Sequence, residues 1–151
     1  MNKISISTLI NLHNFKLIDD GIFSDNRGKL FHVNEFDMTL VKRFYAVENN
    51  IENPTRAWQA HQKESKWFYV MKGSFLIGLV KPDNWESPSQ NLQVEKIILS
   101  ETESKVLYIP PGYANGVKAL EENSKLMVFS NFTIQEAATD NIKFDINTWL
   151  L

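Results

Sequence analysis

The stretch Arg56-Ala-Trp-Gln-Ala-His-Gln-Lys-Glu-Ser-Lys-Trp-Phe-Tyr-Val-Met-Lys-Gly73 decides how this chain is read. Trp67, Phe68, Tyr69 and Val70 are strong strand formers, because aromatic and β-branched side chains pack well on a pleated, half-buried surface. Lys72-Gly73 is a turn signal, and the apolar run from Ser74 to Lys81 follows it, so the two segments are expected to form a hairpin. The polar half, Arg56 to Lys66, leads into the first strand and carries His61 at its mouth. A scaffold strand fixes the geometry of groups placed there, which is how sites are commonly built. His61 is therefore either a solvated strand residue or part of a site, and this stretch alone leaves both open.

On the N-terminal side, Leu17-Ile18 and Ile22-Phe23 read as short strands around the turn Asp19-Asp20-Gly21. Asp25-Asn-Arg-Gly28 is a second turn, and Lys29 to Phe36 alternates apolar with polar residues as a half-buried strand does. His32 lies on that strand, where packing or surface exposure is its expected role. Val41 to Val47 is the next strand. On the C-terminal side, Pro82 to Asn91 is a loop, Leu92 to Leu99 a strand, and Ser100 to Ser104 a turn. Val106 to Ile109 runs into Pro110-Pro-Gly112, Asn115-Gly116 reads as another tight turn, and Lys125 to Ser130 as a strand. Glu136 to Thr139 suggests a helical turn, and the tail ending Trp149-Leu150-Leu151 is apolar enough to dock onto the body or a partner subunit. Short strands separated by turn signals about every ten residues indicate an all-β sandwich or barrel in one domain, 1–151.

Composition narrows the function. The chain has 151 residues, 43% hydrophobic and 23% charged, enough to bury roughly two-thirds of the surface of its unfolded form. A net charge of −2 argues against nonspecific nucleic-acid binding, which needs a basic face, but leaves room for a local basic pocket. With no Cys, a disulfide scaffold, a thiol nucleophile and a thiolate metal site are excluded. No apolar run is long enough to span a bilayer and the N-terminus lacks a signal-peptide core, so the expected compartment is the cytoplasm.

Several islands now fall into one order. Asp25-Asn-Arg-Gly28 resembles a D-x-R-G motif, and Lys42-Arg43-Phe44-Tyr45 with Arg56 to His61 resembles a run ending R-G-x-H-A-H. Asp83 with Ser87-Pro88-Ser89 resembles D-x-R-x-x-S-P-T, and Leu99-Ser100, Ile109-Pro110 and Gly112-Tyr-Ala-Asn-Gly116 resemble L-S…I-P-x-G-F-A-H-G. Together they span about residues 19 to 145. The chain resembles the cupins, and within them the dTDP-4-dehydrorhamnose 3,5-epimerases and the dTDP-sugar 3,4-ketoisomerases. That resemblance implies a cupin-type jelly-roll barrel, a nucleotide-sugar substrate, no cofactor, and a homodimer that shares or exchanges edge strands.

The departures matter equally. The four metal-ligand positions of a metal-binding cupin read Gln59, His61, Lys66 and Asn115 here. A transition-metal site takes about three or more His, Cys or carboxylate ligands, so this set does not supply one. Proton chemistry next to a keto group remains, which needs a base titrating near neutrality, a proton donor, and cations or donors for the developing oxyanion. His61 is the natural base. Tyr45 is a candidate proton donor, and Gln59, standing where the ketoisomerases carry a second His, can hydrogen-bond but not shuttle a proton at neutral pH. Arg56, Lys66, Tyr113, Asn115 and Arg43 are the expected substrate-binding residues, with Arg56 suited to a diphosphate. The epimerases use an aspartate near the chain end, and Asp145 lies close to that position. The leading expectation is a metal-independent epimerase or ketoisomerase of a dTDP-4-keto-6-deoxyhexose, serving deoxysugar and surface-polysaccharide synthesis. The alternatives are a cupin that binds such a ligand without turnover, and a ligand-free β domain.

Overall fold

The computed structural model describes residues 14–151. The part of the N-terminus read as lacking a signal-peptide core, residues 1–13, lies outside them. The strands are β1 (Lys16–Asp19), β2 (Gly21–Asp25), β3 (Gly28–His32), β4 (Arg43–Glu48), β5 (Thr55–His61) and β6 (Lys66–Lys72). They continue as β7 (Ser74–Val80), β8 (Glu95–Ser100), β9 (Lys105–Ile109), β10 (Tyr113–Ala119), β11 (Lys125–Ser130) and β12 (Ile142–Lys143). One helical turn, α1 (Ile134–Ala137), starts where the Thr133 side chain accepts a hydrogen bond from the Glu136 N–H.

Two five-stranded antiparallel sheets face each other, in the orders β1-β9-β6-β11-β4 and β12-β5-β10-β7-β8, with β2-β3 as a separate hairpin. The pairings are nested: β4 with β11, β5 with β10, β6 with β9, β7 with β8. That nesting is a long antiparallel ribbon rolled into a barrel, the expected cupin-type jelly roll. Phe68, Val70, Leu107 and Val128 from one sheet meet Phe75, Ile77, Leu79 and Leu99 from the other in a continuous core. Full burial of each such side chain contributes about 1.5–3 kcal/mol.

Two turn expectations need correction. Lys72-Gly73 does not close a hairpin, because β6 and β7 lie in different sheets; it is the corner where the chain crosses between them. Gly73 has φ +71°, and a Cβ there would stand 2.1 Å from Ser124 Oγ, so the corner requires glycine. Asn115-Gly116 is not a turn but lies within β10, whose register against β5 shifts between Asn115 and Val117. A β-bulge explains why a turn-forming pair sits there. Gly116 pairs with Gly78 on β7, and the gap the two leave is filled by the Trp58 ring and Leu151. The strand expected over Lys29 to Phe36 ends at His32, whose imidazole pairs with Asp20 at 3.0 Å.

The tail docks on the body. Trp58 and Phe144 exchange both backbone hydrogen bonds, at 3.2 and 3.0 Å. Trp149 is buried edge-on against Trp58, with ring centroids 5.4 Å apart, and its indole N–H donates to Ser89 O at 2.9 Å.

Candidate active site

A cavity of about 840 Å³ runs into the barrel, walled by β4, β5, β6, β10 and β11 and closed on one side by α1 and residues 141–143. It is within the range of ligand sites, about 300–1,000 Å³. Of the residues expected to form a site, His61, Tyr45, Gln59, Arg56, Lys66, Asn115 and Arg43 all line it.

Tyr113 does not. Although paired with His61 across β5 and β10, its ring is buried against Phe15 and its hydroxyl accepts from the Phe15 N–H at 3.4 Å. It lines a second cavity, with Lys81 over its ring at 5.3 Å, so the structure removes it from the main site. Asp145 is also elsewhere: it is exposed and accepts from the Asn147 N–H at 2.8 Å.

His61 ends β5 and is buried at 4% exposure, which rejects the solvated-strand alternative. Its Nδ1 lies 2.8 Å from the Asp140 carbonyl oxygen, a contact that fixes the proton on Nδ1 in the neutral ring. Nε2 is buried without a hydrogen-bond partner among the described residues. Burial, and then the charge of Lys66, lower the His61 pKa below its usual 6.5, against smaller raising effects of Asp140 and Glu64. The ring is thus neutral at pH 7, its basic lone pair on Nε2.

The loop after His61 is held by Asp140, whose carboxylate accepts from the backbone N–H groups of Gln62, Lys63 and Glu64 at 2.8–2.9 Å. Burial would raise the Asp140 pKa, but those three donors outweigh it and keep the carboxyl below its ordinary value.

Lys66, at the start of β6, is only 3% exposed. Its ammonium donates to Tyr45 Oη at 3.1 Å and to Gln59 Oε1 at 3.4 Å, and no carboxylate pairs with it among the described residues. A buried, uncompensated ammonium places positive potential in the cavity. Gln59 is further engaged through its Nε2 with Asn141 Oδ1 at 2.8 Å, and Asn115 donates to the Gln59 carbonyl at 3.2 Å. Arg56 donates from Nε to Asn49 Oδ1 at 2.6 Å and has no acidic partner among the described residues, so a structural salt bridge is not its role. Arg43 is committed differently: Nε donates to Phe132 O at 3.0 Å, Nη2 to Glu64 Oε1 at 3.2 Å, and its guanidinium stacks 5.1 Å from the Tyr45 ring centre.

Sequence reasoning missed Glu64, Ser130 and Asp140. Only the spacing His61-x-x-Glu64 signalled any of them; the other two come from distant strands and loops. No three His, Cys, Asp or Glu side chains converge as metal ligands among the described residues. The site therefore offers a neutral imidazole, a buried ammonium, a phenol and the Arg56 guanidinium, which has no acidic partner among the described residues, around one cavity, a set suited to removing a carbon-bound proton and holding the enolate that results.

Known proteins share this fold. The family model for dTDP-4-dehydrorhamnose 3,5-epimerase matches residues 10–148. A search of curated proteins finds no match. The chain is similar to the sugar 3,4-ketoisomerase QdtA of Thermoanaerobacterium thermosaccharolyticum, solved in complex with TDP, at 25% identity and a TM-score of 0.67, over 88% of this chain and 90% of that one. It is similar to the WlaRB TDP-quinovose 3,4-ketoisomerase of Campylobacter jejuni at 26% identity and a TM-score of 0.66, over 87% and 93%. It shares the fold of the dTDP-4-dehydrorhamnose 3,5-epimerase of Bacillus anthracis, at 18% identity and a TM-score of 0.66, over 83% and 78%. With the family model covering nearly all of it, the chain belongs to the dTDP-4-dehydrorhamnose 3,5-epimerase family.

Proposed function

We propose that this protein is a nucleotide-sugar isomerase in which His61 removes the proton from a carbon next to the keto group of a dTDP-4-keto-6-deoxyhexose. One observation carries this reading: a neutral imidazole with Nε2 free shares a cavity with a buried ammonium bound to a phenol. Nε2 takes the proton, and the electron pair of the C–H bond moves onto the carbonyl to give an enolate. The Lys66 ammonium and the Tyr45 hydroxyl stabilise that oxygen, and Arg56 binds the diphosphate. Return of a proton to the same carbon from its other face is epimerisation. Its return to the former keto carbon, with a proton passed from one oxygen to the other, is 3,4-ketoisomerisation. The two solved proteins described above at 25% and 26% identity are ketoisomerases, which supports the second outcome.

The test is incubation with TDP-4-keto-6-deoxyglucose in deuterated water, followed by NMR. Deuterium should enter the sugar at a carbon flanking the keto group, and His61→Asn should abolish this. No exchange across a panel of 4-keto sugars overturns the reading. A second reading, binding without turnover, is favoured by Gln59, whose amide is tied to Asn141 and Lys66 and cannot relay a proton. Tight TDP-sugar binding with no exchange selects it.

We also infer a homodimer. The β2-β3 hairpin exposes Ile22, Phe23, Leu30 and Phe31 at 40–57%, an apolar surface of the kind that marks an interface. Sedimentation should give twice the chain mass, and Phe23→Glu should shift it to the monomer. A monomeric wild type overturns the inference. No helix among the described residues is long and apolar enough to cross a membrane.

A further inference from the structure

Glu64 is buried at 2% exposure on the loop that follows His61. One carboxylate oxygen, Oε1, accepts from Ser130 Oγ at 2.5 Å and from Arg43 Nη2 at 3.2 Å. The other, Oε2, stands 3.2 Å from His61 Nδ1 and accepts no hydrogen bond among the described residues. A carboxylate this deep is costly unless it is paired and hydrogen-bonded. Arg43 and Ser130 secure one oxygen, which leaves the second pointed at the imidazole.

We propose that Glu64 is the positioning residue of the site: it orients the His61 ring and stabilises the imidazolium that forms when Nε2 takes the substrate proton. The proposal rests on His61 being the base. In the neutral ring, the Nδ1–H is donated to the Asp140 carbonyl oxygen, and Glu64 Oε2 stands 3.2 Å from Nδ1 as an ion-pair partner for the protonated ring. When Nε2 becomes N–H, the new positive charge lies beside a carboxylate that cannot move, because β11 and β4 hold its other oxygen through Ser130 and Arg43. Arg43 also packs on the Tyr45 ring, so the base and the phenol are fixed by one chain of contacts, His61–Glu64–Arg43–Tyr45.

The charged and titratable groups around the imidazole are Glu64 on its own loop, Asp140 from the segment after α1, and Lys66 from β6; Tyr113 is its neighbour across β10, and Arg43 and Tyr45 stand behind Glu64 on β4. Lys66 opposes the imidazolium and Asp140 spends its carboxylate on three backbone N–H groups. Among the described residues, Glu64 is then the one carboxylate with an oxygen left for the ring.

The experiment is a ¹⁵N-histidine titration of the free protein, which has three histidines; the His61 signal is the one absent from His61→Asn. Glu64→Gln should move the His61 midpoint down by about one pH unit, and Glu64→Asp by less. The acid limb of kcat/KM should follow the midpoint, and kcat should fall about tenfold or more while KM changes little. A merely structural Glu64 would leave the midpoint and the limb in place. An unchanged or raised midpoint in either variant overturns the proposal. The wild-type ¹⁵N shifts supply a reading independent of any variant's folding: an Nε2–H neutral tautomer would leave Nε2 no lone pair for the substrate proton and overturns the proposal. The titration needs no substrate, so absence of turnover would reject His61 as a base without deciding whether Glu64 acts on its ring.

Discussion

His61 has one nitrogen committed and one free, and its pH behaviour follows from that. Burial and Lys66 lower its pKa from 6.5, so the folded protein resists protonation of a ring that the unfolded chain protonates readily. The unfolded state then binds more protons between the lowered folded value and 6.5. Stability is full above pH 6.5 and is lost as pH falls through that window. Chemical denaturation across pH should show this decline, and His61→Asn should remove the part of it due to this group. The same shift sets the acid limb of kcat/KM below pH 6.5, where an exposed histidine would place it near 6.5. Lys66 gives a second prediction. Its ammonium has no carboxylate to neutralise it among the described residues, and its positive charge matters most when negative charge develops on the substrate. Lys66→Met should cost about 10²–10³ in kcat, the usual loss on removing one oxyanion donor, with KM nearly constant. Steady-state kinetics distinguishes this from a binding role, in which KM would rise and kcat hold.

Among the elements, β7 and β10 carry the most information, because Gly78 and Gly116 face each other so that Trp58 and Leu151 can lie against bare backbone. A Cβ at Gly78 would stand 2.6 Å from Leu151 Cδ1 and 2.8 Å from the Trp58 ring. Gly78→Ala should therefore destabilise by about 1–3 kcal/mol, as overpacking does. Denaturant midpoints will show it, and Gly28→Ala, where nothing lies within 4 Å, separates crowding from backbone strain. The strands themselves were legible in the sequence because alternation and turn residues are local signals: Lys125 to Ser130 is β11 as expected, and Asp25 to Gly28 does turn β2 into β3. Sheet membership was not legible. Lys72-Gly73 has the chemistry of a hairpin turn, and only the partners of β6 and β7, far along the chain, make it a corner. The site divided in the same way. His61, Gln59, Lys66 and Asn115 were readable because motif spacing on β5, β6 and β10 brings them together. Glu64 needed Ser130 and Arg43 to reveal its direction, and Tyr113 was misassigned because neighbours across a strand pair need not share a cavity.

For the whole molecule, the segment from α1 to the C-terminus joins stability to the site. It supplies one wall of the cavity, holds the His61 loop through Asp140, adds β12 to the edge of β5, and ends by burying Trp149 against Trp58. Trp149 is 2% exposed, and its N–H is satisfied by Ser89 O. Trp149→Ala should cost about 3–5 kcal/mol, the range for emptying a buried aromatic site. In a domain of this size that lowers Tm by roughly 6–20 °C. The consequence for activity depends on whether the segment acts as one unit. If the clasp at Trp149 keeps β12 in register, its loss should raise hydrogen exchange at the Trp58 and Phe144 amides and, through Asp140, at Gln62 to Glu64, with kcat falling at temperatures where the protein is still folded. If Asp140 holds the loop alone, exchange should rise at Trp58 and Phe144 only and kcat should match the wild type. Hydrogen-exchange mass spectrometry of Trp149→Ala, alongside its kinetics well below its Tm, distinguishes the two. The backbone pairing of Ile142 with Ala60, one residue from His61, favours the first outcome, because a strand that leaves that position frees the end of β5 on which the base stands.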